Sequence, residues 1–169
     1  MRLENVIDSL TSLDENELNE VLLESTKTVF ILIHTMRKYG VDNLGIMIWL
    51  FMAAVFSADG DLTEKEIDCL EFLSKSYNKI LRTFSRNEWR QKYNRFVSEH
   101  NDVDKIIKNQ LLKFIKQLID DGAVEVKLGK DKYYRDIVNF FTALALTDGR
   151  LNQKEEDFLK NILEEFLEE

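Results

Sequence analysis

The sequence predicts an all-α fold: a single-domain helical bundle of about seven or eight helices with a duplicated helix–turn–helix unit. Three observations lead to this prediction. The 169 residues include no proline and only 6 glycines, apolar residues recur at helical spacing, and one stretch of the chain is repeated. Because 44% of the residues are hydrophobic, a chain of this length can form one core of its own, and we treat 1–169 as one domain.

The first helices are predicted from apolar spacing and capping residues. A short helix through Val6 and Leu10 precedes a long amphipathic helix that begins after Asp14 and ends at Gly40. The uncharged stretch 44–58 then predicts an apolar core helix. It is shorter than the roughly 18 to 20 residues that cross a bilayer, so no transmembrane segment is predicted, and peripheral membrane contact stays open.

Thr63 is predicted to cap the next helix, whose apolar residues continue to Tyr77. Two further helices follow, with a break at Asn101–Asp102 and an end at Gly122. The apolar residues predicted to face the core on the second of them are Ile106, Ile107, Leu111, Phe114 and Leu118.

The stretch 124–129 alternates like a strand. One strand without a partner cannot form a sheet, so we predict a loop there. The last helices are predicted over about 131–147 and from Asn152 to the C-terminus.

The formal net charge of −8 is unevenly distributed. Residues 1–74 carry −9, residues 75–116 carry +7 and residues 117–169 carry −6. Internal pairing between these zones is one explanation, and an acidic face that attracts cations is the other.

The basic segment 75–116 combines lysine and arginine with aromatic residues. Such a composition can bind the phosphates of a nucleic acid and stack on its bases. The acidic chain repels polyanions, however, and aromatics at helical spacing usually face a core, so no nucleic-acid partner is predicted. A docking surface for an acidic protein fits better. The residues concerned are Lys79, Arg82, Phe84, Arg86, Trp89, Arg90, Lys92, Tyr93, Arg95 and Phe96.

Residues for catalysis are sparse. His34 and His100 have no second histidine or cysteine at ligand spacing, and Cys69 is expected to be a buried thiol without a neighbouring base. No glycine-rich phosphate loop occurs. We therefore predict that the chain is not an enzyme, and the lack of a signal-peptide pattern at its N-terminus predicts a cytoplasmic location.

The repeat is the most specific feature of the sequence. Residues 54–70 align without gaps on residues 143–159, and Ala, Asp, Gly, Leu, Lys, Glu, Asp and Leu coincide. Each copy combines an apolar helix, an Asp-Gly turn and an amphipathic helix that begins with Thr63 or Asn152.

This pattern resembles the TerB-like family, known from tellurite resistance. The resemblance is carried by Asp59-Gly60-Asp61-Leu62 with Glu66 and by Asp148-Gly149-Arg150-Leu151 with Glu155. It implies a helical bundle whose acidic turns gather on one face and bind divalent cations, usually calcium. The implied ligands are Asp59, Asp61, Glu66, Asp148 and Glu155, although Arg150 in place of an acidic residue weakens a second site.

Each turn also aligns with the second half of an EF-hand loop, but the first half is missing. Val55 and Ser57 stand where one copy would need carboxylates, and Leu144 and Leu146 do so in the other. Because calcium takes about six to eight oxygen ligands, a site here must borrow ligands from the other repeat or from water.

A second interpretation needs no metal. Thr63 with Glu66, and Asn152 with Glu155, have the spacing of capping boxes. Gly60 and Gly149 would then end the preceding helices in a left-handed conformation.

The sequence thus predicts a non-enzymatic TerB-like module that binds divalent cation weakly and interacts with an unknown protein in a stress-response assembly like that of tellurite resistance. The alternative is a metal-independent helical adaptor whose Asp-Gly turns only cap helices.

Overall fold

The computed structural model describes residues 1–40, 55–56, 62–79, 83–99, 103–149 and 151–167. These residues form helices and connecting loops without a strand, so the predicted all-α bundle is confirmed for this part of the chain. The helices are α1 (Leu3–Thr11), α2 (Glu15–Arg37), α3 (Glu64–Ser76), α4 (Arg86–Glu99), α5 (Val103–Ile106, a π-helical segment Ile107–Leu112, and Lys113–Asp120), α6 (Lys130–Ala145) and α7 (Gln153–Ile162).

The helices that start after Asp14, Thr63 and Asn152 agree with the prediction, but α7 does not continue to the C-terminus as predicted: it ends at Ile162, and a 3₁₀ turn, Glu164–Phe166, follows. Asp14 accepts a hydrogen bond from the backbone N–H of Glu17 and thereby caps α2. The stretch 124–129 is a loop, as predicted. The apolar stretch 44–58 lies outside the described residues except for Val55 and Phe56, which are helical and buried.

Helices α2 and α6 form the centre of the bundle and run antiparallel. Near one end of the pair Lys38 binds Glu125, and in the middle the Thr28 hydroxyl donates to the Asp136 carboxylate over 2.6 Å. Asp136 is only 4% exposed, so it is a buried polar group with a partner, as burial requires. This helix pair holds the turn after α6 against the rest of the core.

The basic helix α4 pairs with the acidic face of α3. The Arg86 guanidinium lies 2.7 Å from Asp68 and 3.1 Å from Glu71, and it also binds Glu64. Arg90 binds Glu64 as well. The interpretation of internal charge pairing is therefore confirmed for this part of the basic segment.

The aromatic residues of α4 face the core rather than solvent. Trp89, Tyr93 and Phe96 are all buried, which leaves none of them available to stack on the bases of a nucleic acid. None of the helices in the described ranges has both the length and the apolar character needed to span a membrane.

Candidate functional site: the paired Asp-Gly turns

The second Asp-Gly turn follows directly from the central helix α6. A 3₁₀ turn, Leu146–Asp148, leads to Gly149, whose N–H donates to the carbonyl oxygen of Leu146 over 2.9 Å. Gly149 has φ +110° and ψ −114°. The positive φ favours glycine, as predicted, but the ψ value lies outside the left-handed helical region. Gly60, its counterpart, is outside the described residues.

Both repeats contain the predicted capping box. The Thr63 hydroxyl accepts from the N–H of Glu66 over 3.2 Å, and the Glu66 carboxylate accepts from the N–H of Thr63 over 2.8 Å. Asn152 and Glu155 make the same two bonds over 2.8 and 3.1 Å. Glu66 and Glu155 are only 3% and 5% exposed. These bonds confirm the predicted capping boxes of both copies.

A hydrogen bond joins the start of α3, in the first repeat, to the Asp-Gly turn of the second repeat. The hydroxyl of Thr63, in the first copy, donates to the carboxylate of Asp148, in the second copy. The same hydroxyl accepts from the N–H of Glu66, and a threonine hydroxyl can do both at once. As a result, the carboxylates of Glu66 and Asp148 both lie at Thr63. The repeat alone did not predict this contact.

Cys69 lies next to this contact, one helical turn after Glu66. Burial raises the pKa of its thiol to about 12. A hydrogen bond with Thr147 lowers the pKa, whereas the negative charges of Glu66 and Asp148 raise it further. A thiol with this pKa is neutral at physiological pH and is a poor nucleophile, which agrees with the prediction of a buried, unreactive cysteine.

The structure places three of the five predicted metal ligands. Glu66 and Asp148 come together at Thr63, whereas Glu155 is engaged in the box of the other repeat. Asp59 and Asp61 lie outside the described residues. Among the side chains that are described, no group of three or more His, Cys, Asp or Glu residues has an arrangement that could hold a metal ion.

Three comparisons with known proteins identified no relative of this chain. No model of a known protein family matches the chain, and neither curated proteins nor solved structures show significant similarity to it.

Proposed function

We propose that the chain is a non-catalytic helical module of the TerB-like kind, in which the paired Asp-Gly turns bind a divalent cation weakly and a separate surface binds a partner protein. A stress-response assembly is the setting that the resemblance implies. The observation that carries the proposal is the contact of Thr63 with Asp148. This contact brings the carboxylate of Asp148, in the second Asp-Gly turn, to the N-terminus of α3.

The cation part of the proposal rests on the chemistry of this contact. Each turn aligns with only the second half of an EF-hand loop, so a bound calcium ion would need further oxygen ligands from other parts of the chain or from water. Asp148 is half-buried and lies beside the buried carboxylate of Glu66, so two negative charges are held near one hydroxyl. A hard cation with oxygen ligands, such as calcium, would reduce their mutual repulsion.

The second candidate function is a metal-independent adaptor. The observation that favours it is the pair of complete capping boxes, because an oxygen of each buried glutamate already accepts a backbone N–H. In this alternative the Asp-Gly turns stabilise the bundle, and only the protein-binding part of the proposal remains.

Calcium titration of the wild-type protein and of Glu66→Gln, followed by backbone NMR, separates the two candidates. Glutamine keeps the capping box but removes a carboxylate. If the turns bind cation, calcium shifts the wild-type signals near Asp148, and the substitution abolishes that response while changing the melting temperature little.

Glu155→Gln is the matched control, because it makes the same change in the box of the other repeat. The cation proposal places the site at Thr63, where Glu66 and Asp148 lie, and does not include Glu155 among its ligands. It therefore predicts that this variant keeps the calcium response near Asp148. If the wild type shows no saturable response to millimolar calcium, magnesium or manganese, the cation proposal is wrong and the adaptor function stands.

A further inference from the structure

An open groove with a volume of about 650 Å³ lies beside the second Asp-Gly turn, between the α1–α2 connection, the first turns of α2 and the outer face of α3. Its lining combines polar residues with a cluster of apolar side chains. The floor contains the buried side chains of Leu10, Leu22 and Leu146, and half-buried Leu13, Leu18 and Phe72 form the walls.

The rim of the groove is acidic. Asp14 and Glu15 stand at its edge and are exposed, and within the described part of the chain neither of them makes an ion pair. Asp68 also lines the groove but already binds Arg86, and Lys65 is the cation among the lining residues. Two carboxylates thus face solvent above an apolar floor.

We propose that this groove docks a basic amphipathic helix of a partner protein. Leucine-like side chains spaced at three and four residues would fill the apolar floor, and lysine or arginine side chains on the flank would reach Asp14 and Glu15. This inference rests on the protein-binding part of the proposed function and names the chemistry of the partner.

The wider charge pattern supports a basic occupant. Residues 1–74, which supply most of the groove lining, carry a net charge of −9, of which Arg86 and Arg90 of α4 offset a part by pairing with α3. Such a field attracts a cationic helix and repels an acidic one, and it acts mainly on the rate of association. The apolar floor then provides most of the affinity, because buried anchors dominate the energetics of interfaces.

The test uses a fluorescein-labelled model peptide with leucine and lysine at helical spacing, and fluorescence anisotropy with the full chain in EDTA. The rim is tested by Glu15→Lys against Glu20→Lys, an equal charge change on an exposed residue of the same helix outside the groove. We expect Glu15→Lys to weaken binding roughly fivefold more than the control. Phe72→Ala should weaken binding about tenfold more than Phe158→Ala, which truncates a half-buried phenylalanine elsewhere.

Several results would overturn the proposal. The proposal is wrong if a peptide with glutamate in place of lysine binds equally well, or if Glu15→Lys and Glu20→Lys give the same affinity. If Phe72→Ala fails to fold, the comparison of Glu15→Lys with Glu20→Lys alone tests the proposal. A wild-type dimer in sedimentation that Glu15→Lys dissociates would mean that a second copy of the chain covers the groove. Because EDTA is present throughout, failure here is distinct from failure of the calcium titration.

Discussion

Replacing Thr63 with alanine removes two interactions at once, because its hydroxyl caps α3 and also joins the two repeats through Asp148. An N-cap side chain contributes about 1 kcal/mol to stability. A hydrogen bond to a charged group contributes about 1.5–3 kcal/mol when buried, and we take about 1 kcal/mol because both residues are half-buried. Thr63→Ala should therefore lower the free energy of unfolding by about 2 kcal/mol.

Asn152→Ala is the matched comparison, because Asn152 caps α7 through the same kind of bond without a described contact to the other repeat. It should cost about 1 kcal/mol. Urea unfolding followed by circular dichroism measures both losses. Thr63→Ser keeps a hydroxyl and should remain close to the wild type. Equal losses for Thr63→Ala and Asn152→Ala, or a serine variant as unstable as the alanine variant, would refute the assigned role of the contact.

Two further predictions concern the same region. Gly149→Ala should lower stability by about 1–2 kcal/mol, because a side chain disfavours φ +110° even though an added Cβ would have nothing within 4 Å; an unchanged thermal melt would contradict this. Burial raises the pKa of the Cys69 thiol to about 12, so at mildly alkaline pH the native protein should react with a disulfide reagent much more slowly than the unfolded protein does, and equal labelling rates would contradict the raised pKa.

The helix starts could be predicted because their chemistry is local. Asp14, Thr63 and Asn152 each accept from a backbone N–H three residues later, so a window of four residues contains the whole interaction. The burial of the α4 aromatics followed in the same way from their spacing. Such features require no knowledge of how helices pack.

The register of α5 could not be predicted in the same way. The sequence pattern suggested Leu111 and Phe114 as core residues, but the structure buries Leu112 and Ile115 and leaves the other two half-buried. The cause is the π-helical segment Ile107–Leu112. A π turn adds a residue to the helical repeat and rotates the following side chains by about one position. Regular 3.6-residue spacing does not reveal it.

The contact of Thr63 with Asp148 depends on packing across 85 positions of the chain, so the sequence could indicate two similar repeats but not this contact between them. Equivalent residues of the two repeats also make different hydrogen bonds, which the sequence alignment does not show. The oxygen of the Asn152 side chain accepts one bond, whereas the Thr63 hydroxyl accepts one bond and donates another. The two copies therefore have similar sequences but make different contributions to one junction.

This junction couples stability to the proposed cation binding. The Thr63 hydroxyl donates to one oxygen of the Asp148 carboxylate and thereby holds that carboxylate beside Glu66, and the second carboxylate oxygen can serve as a cation ligand. If the cation proposal is right, Thr63→Ala should destabilise the free protein and also bind calcium more weakly than the wild type, because Asp148 is no longer held beside Glu66. The added calcium should then restore part of the lost melting temperature, because a ligand that binds only the native state stabilises it. If the turns are purely structural, calcium restores nothing, and the variant differs from the wild type in stability alone.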